Sequence, residues 1–200
     1  MQAKLIIGGI AALLLLLLLW GRLFGTGSPV TPVTDPSQLA GMQTGDAPWA
    51  PEVSNLRSRV RAIGLPAEGN ALHIHQHIDL NIEGAVVAVP AEIGISRADR
   101  FVSPLHTHDE GGVIHVESGT VRDFTLGEFF DVWGVRFTAE CIGSYCADAT
   151  RTLRVYENGT LVPGDPRALV LTSHQEMMVV YGAASTTPTI ISSYTFPPGE

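Results

Sequence analysis

Six of the chain's seven histidines fall between His73 and His115. They form two groups. One is His73-Ile-His75-Gln-His77; the other is His106-Thr-His108, followed by His115-Val-Glu117. Imidazole nitrogens are ligands for zinc, copper, nickel and iron. Side chains on an extended strand alternate between faces, so His-x-His places both rings on one face, about 7 Å apart along the chain. Two such rings can converge on one ion, and a neighbouring strand can bring the third and fourth donors. DEGGVI separates His108 from His115, with Gly111-Gly112 as a turn. A turn centred on Glu110-Gly111 sets His106 opposite His115, giving one hairpin a His-x-His pair plus a third histidine. An exposed imidazole stripe gains the fold nothing, and a buried one must satisfy the polar nitrogens of every ring. His73, His75, His77, His106, His108 and His115 are therefore read as metal ligands.

The window between them holds no cysteine or methionine, so a soft thiolate site for Cu(I) is not indicated. A copper or zinc ion is the expected cofactor. Asp109, Glu110 and Glu117 are candidate outer partners that orient the imidazoles. Glu117 shares a face with His115, so it is also a candidate ligand and, in an enzyme, the candidate acid–base group. His174 stands apart in a turn and is read as surface.

The elements that must position these residues are legible. Leu72 to Ile82 alternates throughout: Leu72, Ile74, Gln76, Ile78, Leu80 and Ile82 face one way, and His73, His75, His77, Asp79 and Asn81 the other. Glu83-Gly84 reads as a tight turn, with AVVAVP as the returning strand. Val113 to Glu117 is a short strand. Thr125 to Trp133 reads as a helix with Thr125 as N-cap and Glu128 completing a capping box. Asn158-Gly159 marks a hairpin between Leu153–Tyr156 and Leu161-Val162. Met177 to Tyr181 is the last clear strand, Met177 and Met178 facing opposite sides with at least one in the core. The TPTIISSYTFPPGE tail is placed along a sheet edge. Upstream, Val53, Leu56, Val60 and Ile63 have helical spacing over Pro51 to Gly64, with arginines on a solvated outer face. Cys141 and Cys146, in CIGSYC, are expected to form a structural disulfide, as is usual in an exported protein.

The N-terminus sets the compartment. Residues 5 to 20 read LIIGGIAALLLLLLLW, between Lys4 and Arg22. This run is intermediate between a signal-peptide core and a comfortable spanning helix. Residues 1–24 are read as a signal anchor or a cleaved signal peptide. The domain is accordingly single-pass and outside the cytoplasm, or secreted. Residues 25–50, rich in Gly, Thr, Pro and Ser, read as a flexible linker. Residues 51–200 read as a single α+β domain, small and β-rich.

Twelve basic residues stand against 20 acidic ones, for a net charge of −8, and no lysine follows Lys4. That balance excludes nucleic-acid binding through a basic face, and docking on acidic lipid through a polybasic patch. No Ser-His-Asp arrangement, nucleophile elbow or phosphate loop is present.

Taken together, AEGNALHIHQHIDLNIEG, VPAEIGI, LHTHDEGGVIHVES, FTLGEFFDVWG and CIGSYC resemble a group of uncharacterised exported or membrane-anchored bacterial proteins, over roughly residues 50 to 182. The resemblance implies an extracytoplasmic or membrane-tethered protein and supplies no activity. The stretch from 113 to 182 is more weakly similar to a ubiquitin-like β-grasp, with FTLGEFFDVWG in the helix position. The chain ends Pro-Pro-Gly-Glu rather than Gly-Gly, so the carrier activity of such proteins does not transfer. A cupin pattern fails because Glu110 comes too early after the His-x-His pair and Glu117 too late. Three functions remain: a tethered metal-binding module, a metalloenzyme with three histidines and an open position, and a metal-free domain with pH-sensitive histidines. Metal ions and, through the N-terminal segment, the membrane are the expected partners.

Overall fold

The computed structural model describes residues 35–186 and 188–200. The expected signal anchor or signal peptide at 1–24 and the first part of the expected linker, 25–34, lie outside the described residues. Among the described residues no helix is long and apolar enough to cross a membrane.

The chain forms an α+β domain built on one sheet. The strands in order are β1 (Leu72–Ile82), β2 (Ala85–Val87), β3 (Ile95–Ser96), β4 (Phe101–Val102), β5 (Leu105–His106), β6 (Val113–Ser118), β7 (Cys141–Ile142), β8 (Tyr145–Cys146), β9 (Arg151–Glu157), β10 (Thr160–Leu161) and β11 (Glu176–Ala183). Helix α1 spans Leu56–Ala62 and α2 spans Leu126–Trp133. Within the main sheet the strands run β10-β9-β11-β1-β6-β5, and β2 pairs with the far half of β1. β1 and β11 are parallel, and the other neighbours are antiparallel. β3–β4 and β7–β8 are separate two-stranded hairpins. β1 is thus the strand between β11 and β6, and a likeness confined to residues 113–182 omits the strand that joins the two halves.

The alternation in β1 sorts the two faces as its sequence predicts. Ile78, Leu80 and Ile82 lie in the main core with their partners Met177, Val179 and Tyr181 on β11. Ile114 and Val116 of β6 and Leu105 of β5 continue that face. Helix α2 covers it with Leu126, Phe129, Phe130 and Trp133, each almost fully buried. Burying such a side chain stabilises by about 1.5–3 kcal/mol. Thr125 and Glu128 form the expected capping box. Asn158 and Gly159 both have positive φ, the backbone that a two-residue hairpin of the twisted kind requires. Cys141 and Cys146 are disulfide-bonded across the β7–β8 hairpin.

Four expectations are corrected. Residues 35–50 are not linker. Leu39 and Trp49 are buried, Trp49 packs edge-on against Trp133 with centroids 6.1 Å apart, and Gln43 bridges to Val135. Composition misled because loops pinned by a few aromatic contacts look like linkers in sequence. Helix α1 begins at Leu56 rather than Pro51, since Glu52 is instead held by its backbone on Trp133 and by its carboxylate on Asn55. Its arginines do not all face solvent. Arg59 is fully buried and donates to the carbonyls of Asp131 and Val132 at the end of α2, where a cation complements the helix dipole. The C-terminal tail does not follow an edge. It crosses the outer face of the sheet, with Ile190 on Tyr156, Met178 and Val180.

Candidate metal centre

The outer face of β1, β6 and β5 gathers the histidines. His75 stands opposite His115, and His115 opposite His106, so three rings form one row across three strands. In the next row His73 stands opposite Glu117. His108 follows β5 and turns back onto His115, with ring centroids 4.5 Å apart. The pairing of His106 with His115 is the one the turn at Glu110-Gly111 predicts. The neighbourhood of β1 and β6 is decided only by the sheet.

The donor atoms converge. The Nε2 atoms of His73 and His75 lie 3.0 Å apart, and those of His106 and His108 lie 3.2 Å apart. Two nitrogens bound to one tetrahedral ion at 2.0–2.1 Å are separated by about 3.3 Å. Glu117 Oε1 lies 3.3 Å from His73 Nε2, 3.7 Å from His115 Nδ1 and 3.9 Å from His106 Nε2. The donors fall into two overlapping groups, His73, His75, His115, Glu117 and His106, His108, His115, Glu117, each with its atoms within 4.8 Å of one another. These residues can hold a metal ion.

The surroundings favour neutral rings. Burial lowers the pKa of His75, aided by His73. Burial also lowers that of His106, against the hydrogen bond to Ser103. His115 is pushed down to about 3, by burial and then by the neighbouring histidines His106, His108, His75 and His73. A neutral imidazole is the form a metal accepts, so no proton need be displaced to ligate. His106 Nδ1–H donates to the Ser103 carbonyl at 3.0 Å, which fixes the tautomer and leaves the Nε2 lone pair facing His108. His115 Nδ1 is buried with no hydrogen-bond partner among the described residues. His73 and His108 are exposed, so the outer side of the cluster meets solvent.

Other candidates fall elsewhere. His77 is on the expected face but does not join the row. Its Nδ1 lies 2.7 Å from Glu176 Oε2, its Nε2–H donates to the Gly111 carbonyl at 2.9 Å, and Tyr194 from the tail stacks on its ring at 3.8 Å. Burial opposes its charge, but the bond to Glu176 and the charges of Glu176 and Asp79 outweigh it, and the His77 pKa is raised. His77, Asp79 and Glu176 form a third group able to hold a metal, with the ring already committed on both nitrogens. Asp109 and Glu110 are exposed, and neither orients an imidazole. Asp109 instead accepts from the Gly111 backbone N–H at 2.8 Å within its own turn. His174 is exposed, as expected. Sequence reasoning missed Ser103, Glu176 and Tyr194. Glu176 is separated from His77 by 99 residues and meets it only because β11 pairs in parallel with β1.

Two clefts on the described surface lie between the ends of β1 and β11 near Asn81 and Arg154, and between α1 and Phe101. No protein-family model, curated protein or solved structure matches this chain.

Proposed function

We propose that the chain is an extracytoplasmic, membrane-tethered metal-binding protein for copper or zinc, with its ligands on the outer face of β1, β5 and β6. The observation that carries this reading is the His75–His115–His106 row, three buried rings with Glu117 in reach of three of the cluster's imidazoles. The donor set of nitrogen and carboxylate oxygen suits either ion outside the reducing cytoplasm. Met177 is buried in the main core and Met178 packs under the tail beside Tyr156, so neither thioether joins the set. The solvent-facing rim at His73 and His108 suits binding, delivery or sensing of an ion. The export reading rests on the apolar run at residues 5 to 20 and on the disulfide. The strand order β10-β9-β11-β1-β6, with α2 on one face, supports a β-grasp-like fold spanning residues 72–183 rather than 113–182. Such a fold carries no function by itself.

The test is elemental analysis of the full-length chain, expressed with its N-terminal segment and recovered without tag or chelator. Near-stoichiometric copper or zinc is the expected result. Metal-free protein that also takes up neither ion on titration would overturn the reading.

A further inference from the structure

We infer that the histidine cluster is a two-cation centre in which Glu117 bridges the ions; this rests on the metal-binding reading above. One ion is held by His73 and His75 from β1, the other by His106 and His108 at the end of β5. His115, in reach of both pairs, completes the set.

The symmetry of the donors about β6 carries the inference. β6 is the strand in the middle, with β1 on one side and β5 on the other. It presents His115 and Glu117, two residues apart and therefore on one face. Each flanking strand adds its own His-x-His pair, already closed to 3.0 Å and 3.2 Å between Nε2 atoms. A single pair at that spacing suits one ion, and two such pairs suit two. The six donors fall into two overlapping groups of four, and the residues common to both are those of β6. Glu117 Oε1 lies 3.3 Å from His73 Nε2 on one side and 3.9 Å from His106 Nε2 on the other. A carboxylate has two oxygens, so Glu117 can give one to each ion, whereas a private histidine serves one ion only. Bridged two-metal sites hold their ions about 3.5–4 Å apart, and a shared anion offsets the repulsion between them. A mononuclear site would leave one His-x-His pair idle, with the buried His106 ring held in ligating tautomer by Ser103 for nothing.

The second cation position predicts a stoichiometry and a magnetic signature. Metal-free full-length protein is titrated with Zn(II) and separately with Cu(II), and bound ions per chain are counted. Two ions per chain are expected. His73→Ala/His75→Ala and His106→Ala/His108→Ala should each bind one, and circular dichroism should show both folded. Glu117→Gln should keep the first ion and weaken the second at least tenfold. With two Cu(II) bound, the electron paramagnetic resonance spectrum should show spin–spin coupling, lost in either double variant. Saturation at one ion overturns the two-cation centre and leaves the metal-binding reading intact. Two uncoupled Cu(II) ions overturn the shared bridge. No uptake of either ion overturns both readings.

Discussion

His75 and His115 face each other across β1 and β6 with ring centroids 4.5 Å apart, on strands whose pairing brings together residues 40 positions apart in the chain. Both rings are buried, both have lowered pKa values, and His115 keeps a buried nitrogen without a hydrogen-bond partner among the described residues. A fold that needed only packing would not place polar rings this way. An unsatisfied buried polar atom costs about 1–3 kcal/mol.

His115→Phe is therefore expected to separate function from stability. At least one of the two ions should be lost. The metal-free variant should melt a few degrees higher than metal-free wild type, since about 1 kcal/mol moves the midpoint by about 2–4 °C in a domain of this size. His174→Ala should change neither quantity. Elemental analysis and thermal melts read the two effects, and equal metal content in His115→Phe and wild type would refute the ligand assignment.

The metal-free protein should be most stable near neutral pH. His75, His106 and His115 start from the ordinary value of 6.5 and are lowered in the fold. Below about 6.5 the unfolded chain takes up protons that the folded chain refuses, so stability falls with acid down toward the value of about 3 for His115. His77 acts with the opposite sign. Its folded pKa is raised, so its pairing with Glu176 is fully present below 6.5 and is lost as pH rises through the folded value. Melting midpoints from pH 4 to 9 in chelator check both limbs. Saturating metal should flatten the acid limb at its upper end, because ligated nitrogens cannot be protonated.

Glu176→Ala should destabilise by about 3 kcal/mol or more, as removing one partner of a buried pair does. It should also weaken metal binding without lowering the ion count. His77 Nε2–H holds the Gly111 carbonyl, and so the turn that follows His108. Gly112 lies beside it with φ +78, and an added Cβ would sit 2.7 Å from the Ile78 carbonyl and 2.9 Å from His77 Nε2. Gly112→Ala should therefore reproduce the loss of affinity. Calorimetric titration with Zn(II) is the measurement, and unchanged affinity in both variants would remove His77 from any positioning role.

Opening the Cys141–Cys146 disulfide with a double serine substitution should cost about 2 kcal/mol in the chain-entropy model for so short a loop. Thr125→Ala should cost about 1 kcal/mol through the lost cap of α2. None of these three residues belongs to the histidine face. Denaturant melts should record both losses while ion stoichiometry stays at the wild-type value.

Local pattern carried much of this protein. Strict alternation from Leu72 to Ile82 fixed the ends of β1 and the side on which its histidines lie, because period two admits one solution when one face must be apolar. The Thr125/Glu128 cap, the Asn158-Gly159 turn and the pairing of His106 with His115 across a short turn are likewise set by neighbours in the chain. Tertiary structure decided which strands lie side by side. It put β6 between β1 and β5, so that His115 and Glu117 lie within reach of both His-x-His pairs. It put β11 against β1, so that Glu176 claims His77 and withdraws it from the row. It folded residues 35–50 onto Trp133 and buried Arg59 at the end of α2. These outcomes depend on pairings between distant segments, whose energies come from surfaces that exist only once the sheet is assembled. No local periodicity encodes them.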